Sequence, residues 1–128
     1  MRQLESQDKA RLAARAALNK QATDVVVLDL RALSTVTDFF VICTVDSTPQ
    51  LAAIRDDLDA TLAQHGATVW HTEGASSSGR SVQDAIGQLR WLLLDCGDVV
   101  VHVLDQRSRA FYRLEELWAD APRVAVSA

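Results

Sequence analysis

The sequence predicts a single α/β domain, a mixed β-sheet covered by helices, and three observations lead there. Runs of β-branched and aliphatic residues alternate with segments of helical period. Two adjacent strand-like runs precede a helix long enough to cross a sheet, an order that produces mixed sheets with helices packed on them. Finally, 128 residues, 48% hydrophobic and 23% charged, suffice for one core and one domain spanning 1–128.

Residues 3–19, QLESQDKARLAARAALN, read as an Ala-rich helix ending near Asn19. Leu4, Leu12 and Leu18 give it only a weak stripe, so it is expected to lie along a surface. DVVVLDL (24–30) is a β-branched run and reads as a strand. DFFVICTV (38–45) is too apolar for solvent on either face, which predicts a central strand covered on both sides. In STPQLAAIRDDLDATLAQHG, Thr48 is placed to cap a helix, Pro49 suits its first position and Gly66 its left-handed stop. Leu51, Ile54, Leu58 and Leu62 recur at helical spacing, with Arg55, Asp56, Asp57 and Asp59 mostly on the far side. ATVWHTEG (67–74) reads as a short strand returning to the sheet.

Residues 75–90, ASSSGRSVQDAIGQLR, break this pattern and read as an insertion. A flexible Ser/Gly start leads into a short helix, with Ser81 and Asp84 resembling a capping box. WLLLDCGDVVVHVL (91–104) predicts a β-hairpin. With Cys96-Gly97 as a two-residue turn, Asp95 faces Asp98, Leu94 faces Val99 and Trp91 faces His102. Alternation then sorts an aliphatic face, Leu92, Leu94, Val99, Val101 and Val103, from one carrying Trp91, Leu93, Asp95, Asp98, Val100 and His102. In DQRSRAFYRLEELWADAP, Phe111, Leu114, Leu117 and Trp118 follow one helical period, Asp105 or Ser108 caps, and Pro122 stops the helix. The tail, 122–128, is expected to lie loose or along an edge.

Charge narrows the function. The net charge is −4, Lys9 and Lys20 are the lysines, and no basic run occurs. Such a balance disfavours a grip on phosphate backbones and suits a basic protein partner. Arg107, Arg109 and Arg113, with Phe111 and Tyr112 between them, are a thin nucleic-acid candidate; Phe111 is better explained as core, and direct sequence-specific nucleic-acid binding is not expected. No apolar run approaches the ~20 residues of a membrane span. Met1 to Lys20 lacks the apolar centre of a secretory signal, so a cytoplasmic location is expected. Cys43 and Cys96 read as reduced, buried filler.

Chemistry finds little footing. No G-x-S-x-G elbow is present, and GASSSGRS lacks the Lys-Ser/Thr of a phosphate loop. Asp95, Asp98, His102 and Glu73 could form an oxygen-rich metal set, but two aspartates at a hairpin tip more often belong to a solvated turn. The expectation is therefore no catalytic residue, no metal and no cofactor. A face joining Trp91 to acidic groups, with Tyr112 near, has the chemistry of an interface anchor steering a basic partner. Trp91 as ordinary core beneath a helix is the competing reading.

TDFFVICT, then S-x-x-Q-x-x-AI (Ser47, Gln50, Ala53, Ile54), EG (Glu73, Gly74), W-x-LLD-x-GDVVVHV and R-x-FY-x-LE-x-LW-x-DAP follow in order. Together they resemble the Iojap family, the ribosomal silencing factors or RsfS, from about residue 4 to residue 122. The ordered set is specific where its pieces are not. The resemblance implies a nucleotidyltransferase-like topology without the catalytic apparatus, and often a homodimer. It also implies binding to ribosomal protein L-fourteen on the large ribosomal subunit, blocking small-subunit joining and repressing translation. By that analogy Glu73, Gly74, Trp91, Asp95, His102 and Tyr112 are the partner-binding candidates. The 75–90 insertion departs from the family pattern beside that face. The alternatives are a metal-dependent nucleotidyltransferase-like enzyme using Glu73, Asp95 and Asp98, and a dimeric scaffold unrelated to ribosomes.

Overall fold

The computed structural model describes residues 5–67, 69, 71–74 and 91–126; the insertion expected at 75–90, with its short helix, lies outside them. In chain order the elements are α1 (Ser6–Asn19), β1 (Thr23–Asp29), β2 (Phe39–Thr44), α2 (Thr48–Gln64), β3 (His71–Gly74), β4 (Trp91–Asp95), β5 (Val99–Leu104), α3 (Gln106–Tyr112), α4 (Leu114–Leu117) and β6 (Arg123–Val124). They build the mixed α/β sheet that the patterning predicts, six strands in the order β3-β4-β5-β2-β1-β6. The β2–β5 pair is parallel and every other neighbouring pair is antiparallel. The tail thus takes the edge position, as β6 beside β1.

β2 is the central strand its sequence demands. Phe39, Val41 and Cys43 enter the core beneath the long helices, while Ile42 points to the opposite side, and all four are fully buried. The larger core lies between the sheet and α1 and α2. Leu51, Ile54, Leu58 and Leu62 of α2 fill it as their spacing requires. The cap differs by one residue: Ser47 accepts from the Gln50 backbone N–H at 3.2 Å, so Thr48 already belongs to the helix. Gln50 also receives the Asp46 N–H on its side-chain oxygen at 2.8 Å and donates to the Lys20 carbonyl at 2.9 Å, tying this helix start to the end of α1. Gly66, with φ 73°, is the left-handed stop.

α1 is not the surface helix that its sparse leucines suggest. Ala10, Ala13, Ala14, Ala16 and Ala17 are buried against the sheet and α2. Alanine adds little to an apolar stripe but lets a helix backbone approach closely, so the packing face was written in small residues. Lys9, on the same helix, reaches the hairpin turn, donating to the Asp98 carboxylate at 2.6 Å and to the Cys96 carbonyl at 3.1 Å.

The hairpin forms, with its turn one residue later than expected. The Cys96 N–H donates to the Val99 carbonyl at 2.8 Å, leaving Gly97-Asp98 as the two loop residues. Gly97 has φ 90°, the conformation of a first position in such turns, which glycine adopts without strain. Trp91 therefore faces Leu104, Leu93 faces His102 and Asp95 faces Val100. Asp95 and Asp98 are not opposed. Moving the turn by one residue changes each partner by two, and a two-residue change preserves the face. The aliphatic face Leu92, Leu94, Val99, Val101 and Val103 is accordingly intact and wholly buried.

The last helical segment is two helices. Arg113, at φ 48° and ψ 54°, ends α3 in the left-handed region, and α4 follows at a new angle. Asp105 caps α3, accepting from the Ser108 N–H at 2.7 Å. The break separates the four residues that a single helical period would align. Leu114 and Trp118 pack on the sheet, whereas Phe111 is 78% and Leu117 73% exposed, against the expectation of core.

Candidate docking face

Among the described residues, the side of the sheet opposite α1 and α2 is only partly covered. A second, smaller core forms there from Leu28, Leu30, Ile42, Leu104, Leu114 and Ala121, under α4 and the segment leading to β6. Phe40 and Trp91 pack half-buried against that core, and Leu93, Asp95 and Val100 are half-buried on the same side of the sheet. These residues share one face because β2, β4 and β5 alternate in phase: Phe40 pairs with Val100, Val100 with Asp95, and His102 with both Ile42 and Leu93. β3 extends the sheet, placing Glu73 beside Leu93 and Gly74 beside Leu92 in backbone register.

Of the expected site residues, Trp91, Asp95 and His102 are therefore brought onto one face, and Glu73 and Gly74 stand on the next strand. Tyr112 is the last residue of α3, the helix that follows β5. His102 is not at the surface. It is 4% exposed, its Nδ1 accepts from the Trp91 Nε1–H at 3.1 Å, and the Phe40 ring meets its imidazole edge-on at 4.6 Å. Trp118 in turn meets Phe40 edge-on at 5.8 Å. Phe40 and Trp118 were missed as parts of this face. Counting parity along FFVIC would have separated Phe40 from Phe39.

The acids divide. Asp95 stays on the half-open face and accepts the Gly97 N–H at 2.8 Å, the local hydrogen bond that suits aspartate to turns. Asp98 is turned toward α1 by Lys9, and its backbone carbonyl accepts the N–H groups of Asp38 and Phe39 at 2.8 and 3.2 Å. Asp98 therefore serves the fold, and the expected acidic cluster reduces on this face to Asp95, with Glu73 one strand away. Among the described residues no group of three His, Cys, Asp or Glu is arranged to hold a metal ion.

Burial pushes both the Cys43 and the Cys96 thiols up to about 12, so neither forms the thiolate that a nucleophile needs. Burial likewise pulls His102 down to about 4. The indole N–H is a donor only, so Nδ1 must be unprotonated and the neutral ring carries its proton on Nε2. That Nε2 is buried with no hydrogen-bond partner among the described residues.

A pH dependence follows. The unfolded chain takes up a proton near the ordinary value of 6.5, while the folded imidazole resists until about 4. Stability should be intact above pH 6.5 and fall between there and pH 4, by on the order of 3 kcal/mol in total. Urea unfolding at a series of pH values checks this, and His102→Leu should flatten that part of the curve.

Comparison with known proteins adds a family. The model of the family described as "Ribosomal silencing factor during starvation" matches residues 3–128. A ribosomal silencing factor RsfS from Halalkalibacterium halodurans is 38% identical over 121 residues, 94% of each chain. One from Bacillus subtilis is 38% identical over 112 residues, covering 88% of this chain and 86% of its own. The chloroplastic protein Iojap of Zea mays is 37% identical over 108 residues, 84% of this chain and 42% of the plant protein. Among solved structures, a Chromobacterium violaceum protein superposes with a TM-score of 0.75 at 28% identity, covering 98% of this chain and 94% of that one. A Bacillus halodurans protein does so with a TM-score of 0.72 at 37% identity, covering 94% and 99%.

Proposed function

This chain belongs to the family of ribosomal silencing factors, and from that premise we propose that it binds the large ribosomal subunit through ribosomal protein L-fourteen and obstructs joining of the small subunit. The observation that carries the reading is the half-open face around Trp91. It offers an indole, the apolar side chains Phe40, Leu93 and Val100, and the Asp95 carboxylate on one side of the sheet. An apolar surface with an aromatic anchor suits an interface centre, and an acidic group at its margin favours a basic partner such as a ribosomal protein.

The mechanism is occupancy, with no bond made or broken and no cofactor. A complex in the micromolar to nanomolar range needs about −8 to −12 kcal/mol, which a few desolvated anchors supply. The same reading places the protein in the cytoplasm, where ribosomes are assembled and joined; no helix among the described residues is long and apolar enough to cross a membrane. A homodimer is compatible with it, since one docking face per copy suffices for obstruction.

The test is a sucrose gradient of purified subunits under joining conditions. Added protein should lower the joined fraction in proportion to its concentration and co-migrate with large subunits. Undisturbed joining at saturating protein refutes the proposal.

A further inference from the structure

We infer that His102 is a positioning residue for docking: its bare Nδ1 holds the Trp91 indole in the orientation a partner meets, while His102 itself stays beneath the contact. The inference rests on the reading of this face as the ribosomal docking surface.

Position 102 is in the middle of β5, between Ile42 of β2 and Leu93 of β4, with Phe40 against the ring. Packing alone asks for an aliphatic side chain there, like the residues around it. An imidazole is a poor choice for packing, because burial opposes its charged form and leaves the Nε2–H without an acceptor among the described residues. What it provides, and leucine would not, is one nitrogen lone pair inside an apolar face. The Trp91 Nε1–H occupies that lone pair at 3.1 Å.

The geometry makes this more than incidental contact. Trp91 and His102 are not directly opposed; the indole crosses diagonally from the row of Leu104 to reach the imidazole, with ring centroids 5.6 Å apart and planes inclined at 47°. Packing against the smaller core holds part of the indole, and the bond to His102 adds a directional restraint that fixes which edge Trp91 turns toward a partner. Holding one rotamer in the free protein removes an ordering cost from binding. The imidazole is itself held by the Phe40 edge at 4.6 Å and by strands on both sides, so the acceptor is fixed before the indole arrives.

Three variants decide the matter: His102→Leu, His102→Asn and Trp91→Ala. Each is titrated onto isolated large subunits, and the Trp91 indole N–H, assigned by its loss in Trp91→Ala, is followed by ¹⁵N–¹H NMR in the two His102 variants. His102→Leu should fold, shift the indole resonance upfield, speed its hydrogen exchange and weaken binding about fivefold, the worth of one net hydrogen bond. His102→Asn presents an oxygen near the Nδ1 position and should restore both the resonance and the affinity. If His102→Leu binds like wild type while Trp91→Ala binds weakly, the positioning role is wrong and the face is right. If Trp91→Ala also binds like wild type, the docking reading itself has failed. Should His102→Leu not fold, an indole resonance and affinity in His102→Asn matching wild type support the inference, and unrestored affinity in a folded His102→Asn overturns it.

Discussion

Trp91→Ala should weaken binding to the large ribosomal subunit by about 30-fold or more, with the fold intact. Interface tryptophans at the centre of a patch commonly contribute about 2 kcal/mol or more to binding, and each 1.4 kcal/mol is tenfold in affinity. Trp91 has the placement for such a role: half-buried, at the start of β4, and ringed by Leu93, His102 and the smaller core. Asp95→Arg on the same strand should act differently. It reverses a charge at the margin, so its effect should grow as salt is lowered and appear mainly in the association rate. Because Asp95 also holds the Gly97 N–H, Asp95→Asn is the control that keeps the turn acceptor and removes the charge. Co-sedimentation titrations at two salt concentrations, with a melting curve for each variant, measure all of this. A Trp91→Ala protein that binds within threefold of wild type would mean that contact is made elsewhere.

Arg109→Ala should cost about 2–3 kcal/mol of stability. Its guanidinium joins three elements, donating from Nε to Glu115 at 2.8 Å and from Nη1 to the Thr44 hydroxyl at 2.9 Å. The side chain is 11% exposed and that of Glu115 27%. Removing one partner of a fully buried pair costs roughly 3–5 kcal/mol because the other charge is stranded; the partial exposure of Glu115 puts this pair lower. The loss should be larger than for Arg55→Ala, whose contact with the exposed Asp56 is a surface pair of little worth. Urea midpoints at constant m-value test it. A loss below about 1 kcal/mol would show that the ion pair adds little to the packing of Leu114 and Trp118.

Much of this architecture is legible in the sequence, and the misses have physical reasons. Period-two alternation located β4 and β5 and sorted their faces correctly even with the wrong turn, since a two-residue change of partner leaves every side chain on its own side. The turn itself was ambiguous because Cys96-Gly97 and Gly97-Asp98 both contain a glycine suited to positive φ; the choice is made by Lys9 clasping Asp98 and Cys96, a contact 87 to 89 residues away in sequence. α1 was underestimated because its packing face is alanine. The helix break at Arg113 was invisible, for no Gly or Pro marks it and the left-handed conformation falls on an arginine. That one residue turns Phe111 and Leu117 outward. At the candidate face the residue types are readable, but depth is not: nothing in GDVVVHV separates a histidine in contact with solvent from one beneath a tryptophan.

The single parallel pairing in the sheet has a consequence for how the chain is made. β6, β1 and β2 form one antiparallel group and β3, β4 and β5 another, and their strands pair where residues 39–44 lie beside 99–104. Until Val99 to Leu104 has been synthesised, one long edge of Phe39–Thr44 has no strand to accept its amides, and this is among the most apolar segments of the chain. The first half of the protein is therefore an adhesive intermediate whose safety depends on the prompt arrival of the second. Truncation before residue 99 should yield aggregates where the full chain yields monodisperse protein.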